Sequence, residues 1–261
     1  VTQEPIQPSQ PSRLMPIARA LVSRFAPSGA LRACINLGNP VLASRDAAGG
    51  DPVGVSVDLA CEFARRLGVR IELVVSEKAA ASVELVKTGQ ADIGFFAIDP
   101  ARSEGIIFTE PYVLIEGSYL VGESSALTDN AQVDSKGHRI SVGSGSAYDL
   151  FLTREIGQAE IVRFQGAEPA MAALRAGDVD VAAGIRQALE SEARRAAGVR
   201  VLPGRFMVIR QAMGAPAGLG DEARALLAAF VEQMKASGFV ADALKRHRTE
   251  GAIVAPVATQ G

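Results

Sequence analysis

Arg102 is the residue in this chain best placed to hold a small anion. It follows the apolar run Ile93-Gly94-Phe95-Phe96-Ala97-Ile98 and the break at Asp99-Pro100, and its segment closes on Phe108-Thr109-Glu110-Pro111-Tyr112. A buried strand that delivers an arginine at its carboxyl end is how open α/β sheets bind small anionic ligands. Guanidinium suits the task because its planar fork matches a carboxylate bidentately and keeps its charge. The competing reading is a solvated arginine, or one bridging two parts of the surface. A second anion site is the Gly143-Ser144-Gly145-Ser146 loop ahead of Ala147. Consecutive N–H groups before a helix start form an anion nest; alternatively, the serine merely caps the helix. Glu116 and Asp149 are the carboxylates that stand as candidate acids or bases, neither in a recognisable catalytic motif. His138 and His247 lie far apart, and no Cys or His spacing fits a zinc site.

The elements that position these groups alternate strand and helix. Leu31–Ile35 reads as a first strand and Ser56–Leu67 as a helix with Leu59, Ala60, Phe63, Ala64 and Leu67 on one face and Gly68 as its stop. Val69–Val75 is a second strand, with Ile71, Leu73 and Val75 alternating against Arg70 and Glu72. A helix over Ser82–Lys87, a turn at Thr88-Gly89-Gln90 and a strand over Ala91–Ile98 follow. Leu174-Arg175-Ala176-Gly177-Asp178-Val179-Asp180-Val181 repeats the character of Val86–Ile93 at nearly every position. That echo is too long for a solenoid period and argues for two lobes built on one α/β plan, with mostly parallel sheets.

Ser118–Val121 reads as a crossing between lobes, Ile140–Val142 as a strand, 147–156 as a helix and Arg205–Met213 as an extended run. Asp221–Lys235 and Phe239–His247 are amphipathic helices, and Gly251–Gly261 has the composition of a tail. At the other end, Ser12 and Pro16 mark a helix start, with Ile17, Leu21 and Phe25 in a stripe.

The bounds are those of a globular chain. With 261 residues, 48% hydrophobic and 21% charged, there is enough sequence for one large domain or two lobes. A net charge of −2 gives no footprint for nucleic acid or an anionic membrane surface, and no apolar run approaches a membrane span. Cys34 and Cys61 read as two small buried hydrophobes, and the sequence does not establish a disulfide. The first residues, VTQEPIQPSQPS, read as a disordered leader or a remnant, with no secretory signal visible. Either an export signal has been removed, which implies a periplasmic protein, or the natural chain begins near Met15 and is cytoplasmic.

Together the motifs resemble the family 3 extracellular solute-binding proteins, the amino-acid-binding receptors of ABC importers. The likeness rests on Gly54-Val55-Ser56-Val57-Asp58-Leu59-Ala60 with Phe63–Val69, Gly89-Gln90-Ala91-Asp92, Asp99-Pro100-Ala101-Arg102 and Phe108–Tyr112. It continues through Val142–Ser146 and the helix Ala228–Leu244, so that it spans residues 30–248. The resemblance implies a type II periplasmic-binding-protein fold: two α/β lobes, each a mostly parallel sheet flanked by helices, joined by two crossover strands and closing on a ligand between them. It implies a leader and N-terminal helix over 1–29, lobe one over 30–118 plus 211–250, lobe two over 119–210, and a tail over 251–261.

By the same likeness, Arg102 grips the ligand carboxylate, with Ser144, Ser146 and the N–H of Ala147 donating from the other lobe, and Ala97 lies among the binding positions. The partners implied are a small carboxylate ligand and an ABC permease, with no cofactor and no metal. Several positions depart from the pattern. Where an aspartate usually holds the ligand's ammonium this chain has Ile185, with Arg186 beside it, and the first-lobe aspartate is Asn36. The aromatic clamps fall at Asn39 and Ala79, and the loop from Asp92 to Arg102 is two residues short. Either the pocket takes a carboxylate without an amino group, with Arg186 a second cationic contact, or Glu116 or Asp149 replaces the ammonium partner. The function implied is a non-catalytic receptor. The alternatives are an enzyme on this scaffold, of the cyclohexadienyl dehydratase type, and a ligand-sensing module.

Overall fold

The computed structural model describes residues 17–46 and 49–258 of the chain. Helix α1 (Arg19–Phe25) leads into β1 (Ala30–Asn36), the short hairpin β2 (Ser44–Arg45) and β3 (Pro52–Val53), α2 (Val55–Leu67), β4 (Arg70–Ser76), α3 (Ala79–Lys87), β5 (Ile93–Ala97) and β6 (Ile106–Phe108). After β7 (Val113–Gly122) come β8 (Arg139–Gly143), α4 (Ala147–Glu155), β9 (Glu160–Phe164), α5 (Ala167–Ala176), β10 (Val181–Ile185), α6 (Arg186–Arg195) and β11 (Val199–Val201). The chain returns through β12 (Met207–Pro216) to α7 (Asp221–Ala236), α8 (Phe239–Arg246) and β13 (Ile253–Val254). Of the predicted first helix, Ser12 and Pro16 lie outside the described residues.

Eleven of these strands form one sheet, in the order β4-β1-β5-β12-β7-β10-β8-β9, with β6 on β12 and β11 and β13 on β7. β1 is parallel to β4 and β5, and β8 is parallel to β9 and β10. The two parallel blocks are joined by the antiparallel pair β7 and β12. The first half of β7 pairs with β12 and its second half with β10, while Gln211–Gly214 of β12 pairs with β5. Each strand therefore runs out of one block into the other, which makes them the two crossing strands of a two-lobed fold.

The internal echo has a structural basis. Gly89 and Gly177 both take left-handed backbone (φ +71° and +78°) to stop α3 and α5. The aspartate that follows each stop brackets the start of a neighbouring strand. Asp92 accepts the Arg32 N–H (2.8 Å) and donates its own N–H to Arg32 O (2.8 Å). Asp180 does the same to Arg139 (2.8 and 3.0 Å).

Three readings change. β4 is an edge strand: Ile71 and Leu73 pack on the large core and Val74 on the α3 side, while Val75, near its carboxyl end, is exposed. Cys34 is buried, but Cys61 is exposed, and both are free thiols. The buried arc of α2 takes Leu59, Ala60, Phe63, Ala64 and Leu67, and residue 61 falls outside it. Residues 251–258, tail-like in composition, lie against the sheet. β13 pairs with Val113–Leu114, Ala255 donates to Tyr112 O (3.1 Å), and the buried Lys235 Nζ donates to Pro256 O (2.9 Å) and Pro111 O (3.1 Å).

Candidate functional site

The carboxyl ends of β1, β5 and β10 and the N-termini of α4 and α5 converge on a cavity of about 250 Å³ between the two blocks. That is small beside the roughly 300–1,000 Å³ of sites for drug-sized ligands, and it fits a small metabolite. Its walls are mostly apolar, including Leu42, Phe96, Met171, Leu189 and Ile209.

Arg102 reaches this cavity because Asp99 and Pro100 start a single 3-10 turn. Asp99 accepts the Ala101 N–H (2.9 Å), and Pro100 fixes the first position of the turn. Arg102 is 5% exposed, and no carboxylate among the described residues lies within ion-pair distance of it. Its Nη1 donates to Ala97 O (3.2 Å) and its Nη2 to Gly145 O across the cleft (2.9 Å). A guanidinium has five N–H donors, so three remain for a ligand. Burial lowers its pKa and the charge of Asp99 opposes that shift, but an arginine stays protonated throughout.

The Gly-Ser loop is built differently from an open nest. The N–H of Ser144 goes to Phe164 O (2.8 Å), that of Gly145 to the Asp149 carboxylate (2.8 Å), and that of Ser146 to Gly143 O (3.1 Å). Ser146 Oγ caps α4 by accepting the Asp149 N–H (3.1 Å). What the loop offers the cavity is the start of α4 itself: the N–H groups of Ala147 and Tyr148 have no partner among the described residues. Gly145 is required here. It has φ +69°, and a Cβ on it would approach the Ala80 side chain on α3 to 3.0 Å.

Asn36, Asn39, Ala97, Arg102, Ser146, Ala147 and Ile185 line the cavity, as does Ala79. Ser144 does not; it is exposed on the outer side of the loop, its backbone held by Phe164. Glu116 and Arg186 are not in the cavity either, because they face each other. Glu116 pairs with Arg186 (2.7 Å) and Arg205 (2.6 Å) beside the crossing strands, and these arginines hold its carboxyl below its ordinary range. Arg186 also donates to Gly204 O. Asp149 is buried beneath the loop against Arg163 (2.9 Å) and is not a cavity residue.

Several cavity residues escaped the sequence reading, Gln211, Glu168 and Ser56 among them. Gln211 is 4% exposed on β12, and no partner for its side-chain amide occurs among the described residues. A polar residue directly before the apolar run Ala212–Ala215 was its signal, since a buried polar group is the informative exception. Glu168, in the first turn of α5, lines the mouth and pairs with Arg175 (2.9 Å) and Arg195 (3.5 Å). Ser56 Oγ shares a hydrogen bond with the buried Tyr112 hydroxyl (3.1 Å), whose pKa burial raises.

Residues 31–250 match the bacterial extracellular solute-binding proteins, family 3. The chain belongs to that family. No curated protein matches it in sequence. Among solved structures, this solute-binding protein is similar to a solute receptor for L-cysteine of Neisseria gonorrhoeae, at 24% identity and TM-score 0.74, covering 87% of this chain and 92% of that one. It is similar to an amino acid ABC transporter substrate-binding protein from Streptococcus pneumoniae bound to L-arginine, at 19% identity and TM-score 0.73, covering 90% and 99%. An ancestral amino-acid-binding protein, a precursor of cyclohexadienyl dehydratase, aligns at 20% identity and TM-score 0.71, covering 86% and 98%. These likenesses carry the two-lobed type II fold. No helix among the described residues is long and apolar enough to cross a membrane.

Proposed function

We propose that this solute-binding protein is the receptor of an ABC importer and holds a small carboxylate ligand, an amino acid or a related organic acid, between lobes 30–118 plus 211–250 and 119–210. The observation that carries this reading is Arg102: a buried cation in the lining of an interlobe cavity, in direct ion-pair contact with no carboxylate among the described residues and with three donors free. A buried charge without a directly paired carboxylate is costly, and an incoming carboxylate offsets that cost. The unpartnered N–H groups at the start of α4 supply a second contact from the opposite lobe. Ligand binding then draws the lobes together in a hinge motion, and the closed form presents its surface to a permease in the periplasm.

A receptor is favoured over an enzyme on this scaffold because Glu116 and Asp149 are held by arginines outside the cavity, and Glu168, at its mouth, is paired with Arg175 and Arg195. General acid–base work needs such a group within hydrogen-bond reach of the reacting atom. A thermal-shift screen of amino acids and small organic acids tests the reading on the wild type and on Arg102→Met. At least one acid stabilises the wild type, and none stabilises the variant. Retained stabilisation in a folded Arg102→Met protein would remove Arg102 from the site. Turnover of prephenate or arogenate by the wild type would replace the receptor with the enzyme.

A further inference from the structure

We propose that the cavity selects an organic acid whose only charge is a single carboxylate, with an uncharged oxygen nearby and an apolar chain, and that it rejects α-amino acids. The inference rests on the carboxylate role of Arg102 and narrows it by a charge inventory of the cavity. Among the described residues, Arg102 and Glu168 are the two charged side chains in the lining. Glu168 sits at the mouth, exposed, with its carboxylate already engaged by Arg175 (2.9 Å) and Arg195 (3.5 Å). Around the cavity, Asp99 is taken by Arg154 (2.9 Å) and Asp149 by Arg163 (2.9 Å) and the Gly145 N–H (2.8 Å). Glu116 is taken by Arg186 (2.7 Å) and Arg205 (2.6 Å). Among these described residues no unpaired carboxylate is left for an ammonium group.

The remaining electrostatics have one sign. The N-termini of α4 and α5, nine and ten residues long, both open onto the cavity, and a helix N-terminus carries partial positive charge. A zwitterion would have to bury its ammonium beside these ends and Arg102 with no counter-ion, at a desolvation cost that its carboxylate contacts do not offset. The uncharged polar groups present suit an oxygen atom. Asn39 Oδ1 accepts the Val41 N–H (3.3 Å) and Asn36 Oδ1 accepts the Gly38 N–H (2.9 Å), so each oxygen is already engaged once, while neither amide N–H₂ has a partner among the described residues. Gln211 is a buried residue of the same lining whose side-chain amide has no hydrogen-bond partner among the described residues. Amide N–H groups recognise a carbonyl or hydroxyl oxygen, and Leu42, Phe96, Met171 and Leu189 accept an aliphatic or aromatic chain. The class is therefore 2-oxo and 2-hydroxy monocarboxylic acids.

Calorimetric titration with matched pairs tests this: pyruvate and alanine, 3-methyl-2-oxobutanoate and valine, 4-methyl-2-oxopentanoate and leucine, phenylpyruvate and phenylalanine. The expected result is that at least one oxo acid binds with a Kd about tenfold or more below that of its amino acid, a step of ~1.4 kcal/mol. Gln211→Leu is expected to weaken that oxo acid about tenfold while leaving the corresponding deoxy acid unchanged, since an apolar side chain removes only the hydrogen bond to the oxygen. Glu168→Gln should leave the preference intact. An amino acid that matches or beats its oxo acid across the pairs overturns the inference, as does an absence of oxo-acid binding at millimolar concentration. Loss of amino-acid binding in Glu168→Gln would make Glu168 the ammonium partner and overturn it as well. Arg102→Met separates the two levels. If acids bind but ignore that substitution, the Arg102 reading fails; if binding needs Arg102 and the amino acid still wins, only the ligand class fails.

Discussion

Arg154→Ala is expected to weaken ligand binding about fivefold without touching the cavity. Asp99 follows β5 in the first block and Arg154 sits on α4 in the second, and their side chains meet across the cleft through Nη2 (2.9 Å) and Nη1 (3.4 Å). The Asp99 carboxylate is 5% exposed and the Arg154 side chain 42% exposed. A fully buried pair would count for several kcal/mol, but the exposed guanidinium limits this one to about 1 kcal/mol. On the proposed hinge motion this contact forms only as the lobes close, so losing ~1 kcal/mol from the closed state raises the apparent Kd by about fivefold. Calorimetry with the acid found in the thermal-shift screen measures the Kd, and thermal unfolding without ligand measures fold stability. The expected pattern is a weaker Kd with an unchanged ligand-free Tm and a faster off-rate. An unchanged Kd would refute the latch. A drop in ligand-free Tm of the same size would make the pair an ordinary structural contact.

Three other outcomes follow from the geometry. Burial pushes the Cys34 thiol up to about 11 while Cys61 is exposed, so Ellman's reagent should titrate one thiol per native chain and two in denaturant; two fast native thiols would contradict the packing of β1. Hydrogen bonding to Arg65, and secondarily to Arg66, holds the Glu62 carboxyl at about 2, against an ordinary value near ~4.3. Because the folded value is depressed, its contribution is complete above the ordinary value and is lost as the pH falls toward about 2. Urea unfolding should thus find Glu62→Gln less stable than the wild type by about 1 kcal/mol at pH 6, with the gap closing as the pH falls below ~4; a pH-independent gap would refute the assignment. Lys235→Met removes charge-assisted bonds to Pro111 O and Pro256 O that tie the C-terminal segment to the start of β7. The expected cost is about 2 kcal/mol, a Tm drop of about 4–8 °C, and a variant of wild-type stability would mean that the segment is not held by this lysine.

The fold was legible because its signals are local and repeated. Gly89-Gln90-Ala91-Asp92 and Gly177–Asp180 each encode a helix stop and a strand start within a few residues, and both do so in the structure. The place of Arg102 in the cavity lining was legible because a strand, a Pro break and one cation stand in sequence. The partners of the site were less so. Glu116 and Arg186 are 70 residues apart, and sequence spacing gives no sign that they meet each other and not the cavity. Ser144 is exposed and outside the cavity lining, with its N–H engaged by Phe164 O, a partner 20 residues away that sequence spacing does not reveal. Gln211 was hidden because its role depends on which face of a crossing strand meets the cleft. Residues 251–258 were misjudged by composition, which carries no information about the edge of β7 they cover.

A crystal structure of the protein with the acid that most raises its Tm tests the central claim most directly. The account predicts the ligand's carboxylate on the Arg102 guanidinium and near the Ala147 N–H, with its chain among Phe96, Met171 and Leu189. A ligand bound elsewhere, or one whose carboxylate lies on Arg186 or another cation while Arg102 keeps only Ala97 O and Gly145 O, would contradict it.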